Sequence, residues 1–158
     1  MASSMQAEPQ RQVYANMTNH TSNEMRFERY MNFTRASSPV TTLPPIPAGE
    51  TLSYDQVVWK GAFVYTGYNK RNFRSSWVLA WDARVTNGIP SPRKVYVACG
   101  YKDVIDKMTP EEIEKNLDDA SDFSNTVDPI TKTTGKAVII GAVPNDSANV
   151  SANFGLFD

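Results

Sequence analysis

Residues 75–83 constrain the fold of this chain more than any other part of the sequence. Two tryptophans and a leucine occupy alternate positions (Trp77, Leu79 and Trp81), and smaller apolar residues stand between them until Asp82. Successive side chains of a β-strand point to opposite faces, so a strand here would carry both indoles on one face. The alternation therefore predicts a strand with one strongly apolar face.

Two neighbouring segments, residues 57–65 and 94–101, are also dense in β-branched and aromatic residues, which favour strands. Three such segments in succession predict the centre of an antiparallel sheet. A chain of 158 residues suits one domain with a core of its own. We predict an all-β protein, a single antiparallel β-sandwich of about eight strands over residues 11–158, after a flexible N-terminal tail at 1–10.

One short helix is predicted near residues 109–118. Thr109 can cap it, Pro110 suits the first helical position, and Glu112 completes a capping box. Ile113 and Leu117 stand four residues apart and would share one helix face.

Residues 24–34 favour a strand over a helix because their period of two is the longer pattern. Met25, Phe27, Met31 and Phe33 stand at even spacing, interrupted only by an arginine. A regular strand would place these four side chains on one face.

Three further segments are interpreted from composition. Residues 37–49 contain four prolines and predict an irregular connection between strands. Residues 118–134 are acidic and then threonine-rich, and predict a long loop. Residues 136–143 are apolar at successive positions, as in a strand in the middle of a sandwich.

Composition and charge argue against several classes of protein. The formal net charge of −1 includes no basic excess or basic arm, so we expect no sequence-specific nucleic-acid partner. No apolar run approaches the roughly 20 residues that span a bilayer, so we expect no transmembrane segment. The chain start lacks the pattern of a secretory signal, and the single cysteine allows no internal disulfide. We expect a cytoplasmic protein, unless a leader has been removed.

Candidate catalytic groups are scarce. His20 is the single histidine and lies in a turn-rich segment, while Cys99 lies mid-strand with no visible base beside it. Ordinary zinc spacing is absent from the sequence, and the acidic residues after position 102 lack an EF-hand pattern. We therefore predict no catalytic residues, no metal site and no cofactor.

Aromatic and basic residues around positions 60–74 form the main candidate binding site. Aromatic rings with a polar group are favoured at binding sites and membrane interfaces, and nearby cations suit phosphate headgroups or anionic sugars. Most aromatic rings in the region are expected in the core, and Tyr68 and Phe73 are expected to be exposed. The candidate ligand-binding residues are Lys60, Tyr68, Lys70, Arg71, Phe73 and Arg74.

Several motifs resemble the plant jasmonate-induced protein family, from about residue 12 to residue 101. The motifs of its opening are Asn16-Met17-Thr18, Met25-Arg26-Phe27, Ser38-Pro39 and Ile46-Pro47-Ala48-Gly49. Those of its middle are Val64-Tyr65-Thr66-Gly67, Trp77-Val78-Leu79-Ala80-Trp81 and Val95-Tyr96. The order of these features is similar, more distantly, to aegerolysin and actinoporin-like β-sandwiches, several of which bind membrane lipids.

The resemblance implies a non-catalytic, stress- or defence-associated plant protein that binds membrane lipid, a glycan or a protein partner. It carries over no catalytic site. A jelly-roll subunit of a viral capsid, or another self-assembling subunit, is the alternative that the size and the proline-bearing arm allow. The lack of a basic arm counts against RNA packaging. The sequence leaves homo-oligomerisation open.

Overall fold

A computed structural model of the chain describes residues 13–34, 42–86, 88–142 and 147–157. Its elements, in chain order, are β1 Val13–His20, β2 Arg26–Asn32, β3 Thr51–Val57, β4 Lys60–Tyr68, β5 Arg74–Asp82, β6 Val85–Thr86, β7 Ile89–Pro90, β8 Lys94–Tyr101, α1 Lys102–Asp106, α2 Pro110–Asp118, β9 Phe123–Asp128, β10 Thr133–Ala142 and β11 Ser147–Leu156. The tail at 1–10 and part of the proline-rich connection lie outside the described residues.

The strands form two main sheets, which confirms the predicted all-β sandwich. One sheet has five strands in the order β3-β1-β11-β10-β9, and the other has four in the order β2-β4-β5-β8. Pairing is antiparallel except between β1 and β11, which run parallel. These two strands come from opposite ends of the described chain. No hairpin turn joins them, so none imposes an antiparallel direction.

Strand β5 lies inside its sheet between β4 and β8, and its alternation is as predicted. Trp77, Leu79 and Trp81 face the main core between the sheets, where all three are fully buried. Their indole N–H groups are satisfied, since Trp77 Nε1 donates to Thr134 O at 2.9 Å and Trp81 Nε1 donates to Val58 O at 2.7 Å. Apolar burial and the two satisfied indole N–H groups together make this strand the centre of the fold.

The helices cover the other face of the four-stranded sheet. Ile113 and Leu117 of α2 are buried against Val78 and Ala80 of β5. Thr109 caps α2 as predicted, because its side chain accepts a hydrogen bond from the backbone N–H of Glu112 at 3.1 Å. The five-residue helix α1 was not predicted, since so short a segment carries little periodic pattern.

Residues 24–34 contain the predicted strand, but their apolar side chains do not share one face. The pairing of β2 with β4 shifts between Phe27 and Arg29, as in a β-bulge. An extra residue in one strand reverses the phase of the alternation beyond it. Phe27 therefore packs against the main core, whereas Met31 lies in the second cluster under the helices, with Phe33 packed against it.

The interpretation of residues 118–134 as a long loop is wrong, because β9 occupies Phe123–Asp128. The sequence pattern does not reveal this strand because its inward positions are polar. Ser124, for example, accepts a hydrogen bond at Oγ from Val97 N at 3.1 Å. Strand β10 does lie inside its sheet, but only one of its faces is covered. Val138 and Ile140 remain 41% and 56% exposed on the outer face.

Candidate functional site

The connection between β4 and β5 is a short loop fixed by one buried side chain. The two strands pair as far as Tyr68 and Arg74, so residues 69–73 form the tip of a hairpin. Asn69 is 2% exposed, and its Oδ1 accepts hydrogen bonds from Arg71 N at 2.9 Å and Phe73 N at 3.0 Å. Asn72 adopts a positive φ of 61°, which asparagine tolerates better than most residues. The tip therefore has a defined shape before any ligand arrives.

Five of the six predicted binding residues come together at this tip. Tyr68 is 44% exposed and Phe73 is 55% exposed, as the sequence predicted for both. The alternation along β4 and β5 places Tyr68 and Arg74 on the helix-covered face of the sheet and Phe73 on the opposite face. The name "tip surface" denotes this group, which is Tyr68, Lys70, Arg71, Phe73 and Arg74, all exposed.

Phe73 is supported from the neighbouring strand. Its ring makes an edge-to-face contact with Tyr101 at the end of β8, with ring centroids 6.1 Å apart. This contact and the hydrogen bond to Asn69 together orient an exposed aromatic ring.

Lys60 lies at the far end of β4 and is not part of the tip surface. Its side chain is 8% exposed, and Nζ lies 2.9 Å from both Glu114 Oε2 and Asp118 Oδ1 of α2. Burial disfavours the charged ammonium, but the two carboxylates outweigh burial, so the pKa of Lys60 is raised above its usual value. This geometry assigns Lys60 to the docking of α2, and it is not positioned to reach a ligand at the tip.

A second loop stands beside the tip and is organised in the same way. Asn19 is fully buried, its Oδ1 accepts from Thr21 N at 2.9 Å, and its Nδ2 donates to Ile46 O at 2.9 Å. A cleft of about 380 Å³ separates residues 20–23 from the tip. The sequence did not reveal this cleft, although both loops carry the asparagine-rich composition of side-chain-to-backbone turns.

His20 lies at the edge of this cleft, exposed as predicted. Its Nε2 lies 2.8 Å from Asn153 Oδ1, on β11. The two residues are 133 positions apart, so no local pattern could have joined them.

A second cleft, of about 420 Å³, lies on the other side of the hairpin. Tyr68 and Arg74 line it together with Glu24, Arg26 and Glu28. Glu24 and Arg26 form an exposed ion pair at 3.1 Å. The charge in this cleft is therefore mixed, unlike that of the tip itself.

Groups for catalysis or metal binding are few in the described ranges. Burial raises the pKa of the Cys99 thiol, which makes it a poorer nucleophile at neutral pH. No group of three or more His, Cys, Asp or Glu side chains within these ranges is arranged to hold a metal ion. The helices that the structure describes are all too short or too polar to cross a bilayer.

Comparison with solved structures finds proteins of similar, β-sandwich-like fold. The lipid-binding protein Nakanori matches with a TM-score of 0.68 and 12% identity, over 97% of this chain and 74% of that chain. The wild-type lectin of Xerocomus chrysenteron matches with a TM-score of 0.49 and 12% identity, over 90% of this chain and 99% of the lectin.

No family model matches the chain, and a search of curated proteins found no similar sequence. At 12% identity the structural likeness establishes the fold alone. The resemblance to the jasmonate-induced family therefore stays a prediction.

Proposed function

We propose that this protein is a non-catalytic module that binds lipid membranes through the tip surface. The observation that carries the proposal is the grouping of two exposed aromatic side chains, Tyr68 and Phe73, with three exposed cations at the tip of one hairpin. Nakanori, which shares the fold, is described as a lipid-binding protein, and this supports the proposal.

The chemistry of the tip suits the boundary between water and lipid. An aromatic ring gains free energy when it leaves water, and tyrosine keeps its hydroxyl in the headgroup layer. Each lysine or arginine near an anionic membrane contributes about 1 kcal/mol, and salt screens that attraction. Phe73 would enter the acyl boundary while Lys70, Arg71 and Arg74 contact headgroup phosphates.

The hairpin geometry strengthens this proposal. A loop that must be ordered on binding loses part of its interaction free energy to conformational entropy. The two hydrogen bonds that Asn69 Oδ1 accepts hold the tip before contact, so little further ordering is required.

The stress or defence role and the cytoplasmic location stay with the proposal as its biological setting. The stress or defence role rests on the resemblance to the jasmonate-induced family, and the location rests also on the single cysteine and the pattern of the chain start. Glycan or protein ligands and self-assembly into a shell are the alternatives. A lipid ligand is favoured over these because the exposed aromatics and cations occupy one hairpin tip.

A tryptophan reporter at the tip tests the proposal. Trp77 and Trp81 are fully buried and Trp59 is partly buried, so Phe73→Trp would add the most exposed fluorophore, and its signal is the difference from the parent spectrum. We expect its emission to shift to the blue when vesicles are added, and to be quenched by brominated lipids. Phe123→Trp, on the outer face of the other sheet where Phe123 is 64% exposed, is the control and should not respond. An unchanged Phe73→Trp spectrum with every vesicle composition would contradict the proposal.

A further inference from the structure

Two clefts adjoin at His20, which lines both of them. One is the cleft between residues 20–23 and the tip. The other is a further cleft, of about 330 Å³, at the end of β10 and β11 that lies on the same side of the sandwich. His20 and Leu156 line both clefts. The name "His20 groove" denotes the two clefts together.

The groove carries a cation on each side of the histidine. Lys70 lines the first cleft, and Lys136 lines the second. The described residues that line the two clefts include no aspartate or glutamate. A lining with two ammonium groups and no carboxylate favours a ligand with anionic oxygens.

The remaining polar groups can bind hydroxyls. Ser22 and Asn72 line the first cleft, and Thr134 and Asn153 line the second. Hydroxyl and amide side chains both donate and accept hydrogen bonds, as the hydroxyls of a polyol do. With Asn153 Oδ1 as the acceptor, His20 Nε2 carries the hydrogen. This hydrogen bond does not involve Nδ1, which can therefore accept a hydrogen bond from a ligand hydroxyl.

One buried donor beside the groove is also unsatisfied. Asn69 lines the first cleft, and its side-chain Nδ2 has no hydrogen-bond partner among the described residues, although the residue is 2% exposed. A buried polar group without a hydrogen-bond partner lowers the stability of the fold, so such groups are rare and often have a functional role. An acceptor oxygen brought by a ligand, with a small adjustment of the loop, would satisfy it.

From these observations we infer that the His20 groove binds the phosphorylated polyol headgroup of a membrane lipid. The inference rests on the proposed membrane binding and adds lipid selectivity to it. Lys70 belongs both to the tip surface and to the groove, so a headgroup held there lies beside the membrane contact. Phosphates would contact the two lysines, and the ring hydroxyls would contact the hydroxyl and amide side chains between them.

The test compares vesicles of equal total charge. Phosphatidylcholine vesicles would contain either phosphatidylinositol bisphosphate or the amount of phosphatidylserine that carries the same charge. We expect at least about tenfold tighter binding to the phosphoinositide, because the groove would make charge-assisted hydrogen bonds of fixed geometry, which a diffuse attraction to phosphatidylserine lacks. His20→Ala and Lys136→Gln should each remove most of this preference while binding to phosphatidylserine is retained. Lys107→Gln, which removes an exposed charge at the end of α1, should retain the preference.

Soluble inositol trisphosphate distinguishes binding in the groove from binding to the membrane surface. Competition by this headgroup for vesicle binding supports the inference, and so does direct binding of it that Lys136→Gln weakens. Equal binding to both charged vesicles would overturn the inference and leave the proposed membrane function standing. Binding of the soluble headgroup without any vesicle binding would support the groove and overturn the membrane function. A preference that survives both groove substitutions would overturn the assignment to this groove.

Discussion

The side-chain Oδ1 of Asn69 accepts a hydrogen bond from the backbone N–H of Phe73 at 3.0 Å, which ties a buried amide to the most exposed aromatic residue of the tip. The same oxygen accepts from Arg71 N at 2.9 Å. One residue thus fixes the backbone of both a hydrophobic and a cationic member of the tip surface. The binding geometry depends on a side chain that does not itself reach solvent.

Asn69→Ala should therefore affect both stability and membrane binding. It removes the acceptor of two backbone hydrogen bonds, so we expect the free energy of unfolding to fall by about 1–2 kcal/mol. Vesicle binding should weaken as well, because the loop must then be ordered on contact. Urea denaturation and vesicle co-sedimentation measure the two effects. Asn72→Ala is the comparison: it strains the same loop at a positive φ but keeps both hydrogen bonds to Asn69, so it should retain more of the vesicle binding. An Asn69→Ala protein that binds vesicles as tightly as the parent would argue against a preorganised tip.

The cations of the tip should govern the salt dependence of binding. Arg71→Gln with Arg74→Gln should weaken binding to anionic vesicles by roughly tenfold or more, at about 1 kcal/mol for each charge. Binding to neutral vesicles should change little. Titrations at several salt concentrations should give a flatter salt dependence for this variant, because fewer charges are screened. The charge-matched control is Lys107→Gln with Lys115→Gln, both exposed on the helical side. An equal loss in the control would mean that net charge, and not the tip, sets affinity.

Lys60 should stabilise the docking of α2 in a pH-dependent way. Its folded pKa is raised by Glu114 and Asp118 against the opposing effect of burial, so the folded state holds the proton more tightly than the unfolded chain. That stabilisation is fully present below the usual lysine pKa of about 10.4 and is lost as pH rises through the folded value.

Lys60→Met should lower the free energy of unfolding near neutral pH by about 1–2 kcal/mol. The loss is smaller than for a fully buried ion pair because both carboxylates are more than a third exposed. Burial also raises the pKa of Tyr65 and Tyr96, so the parent and the variant must be compared in the same alkaline titration. The difference in stability between them should shrink above about pH 10.4. A constant difference across that range would contradict the role of the ion pair.

Gly61 should not tolerate a side chain. A Cβ built at this position lies 2.6 Å from the backbone oxygen of Met31 on the neighbouring strand. Gly61→Ala should therefore destabilise the protein by about 1–3 kcal/mol, as overpacking does elsewhere. At Gly135 the nearest atom to a new Cβ is Thr126 Cγ2 at 3.4 Å, so Gly135→Ala is the control. Thermal unfolding of the two variants compares the sites directly, and similar midpoints would contradict the predicted clash.

Local patterns predicted the centre of the fold because large apolar residues of β5 alternate with smaller ones, which gives a clear period of two. They failed at β9, whose inward Ser124 is polar and contacts Val97 at a separation of 27 residues. They also failed to predict the phase of β2 beyond Phe27, because a bulge depends on pairing with another strand. Periodicity reports the local chain, and these features depend on distant partners.

The candidate site, like the fold, was predictable only where it depends on residues close together in the sequence. Tyr68 and Phe73 could be identified because they flank a short basic turn. Lys60 looked equivalent in sequence, but it points to the helix-covered face and meets Glu114 and Asp118 at separations of 54 and 58 residues. The His20 groove was not predictable at all, since the loops that form it meet only in the folded chain.

Vesicle flotation of the parent and of Phe73→Ser tests the central proposal most directly. The substitution removes a half-exposed ring and its edge-to-face contact with Tyr101, so the free energy of unfolding should fall by no more than about 1.5 kcal/mol. The fold should therefore persist, and a loss of binding reflects the tip. Phe123→Ser removes a ring of similar exposure, 64% against 55% for Phe73, from the outer face of the other sheet and is the matched control. We predict that the parent and Phe123→Ser float with vesicles and that Phe73→Ser stays in the soluble fraction. A parent that never floats, or a Phe73→Ser protein that floats as well as the parent, would contradict membrane binding through this tip.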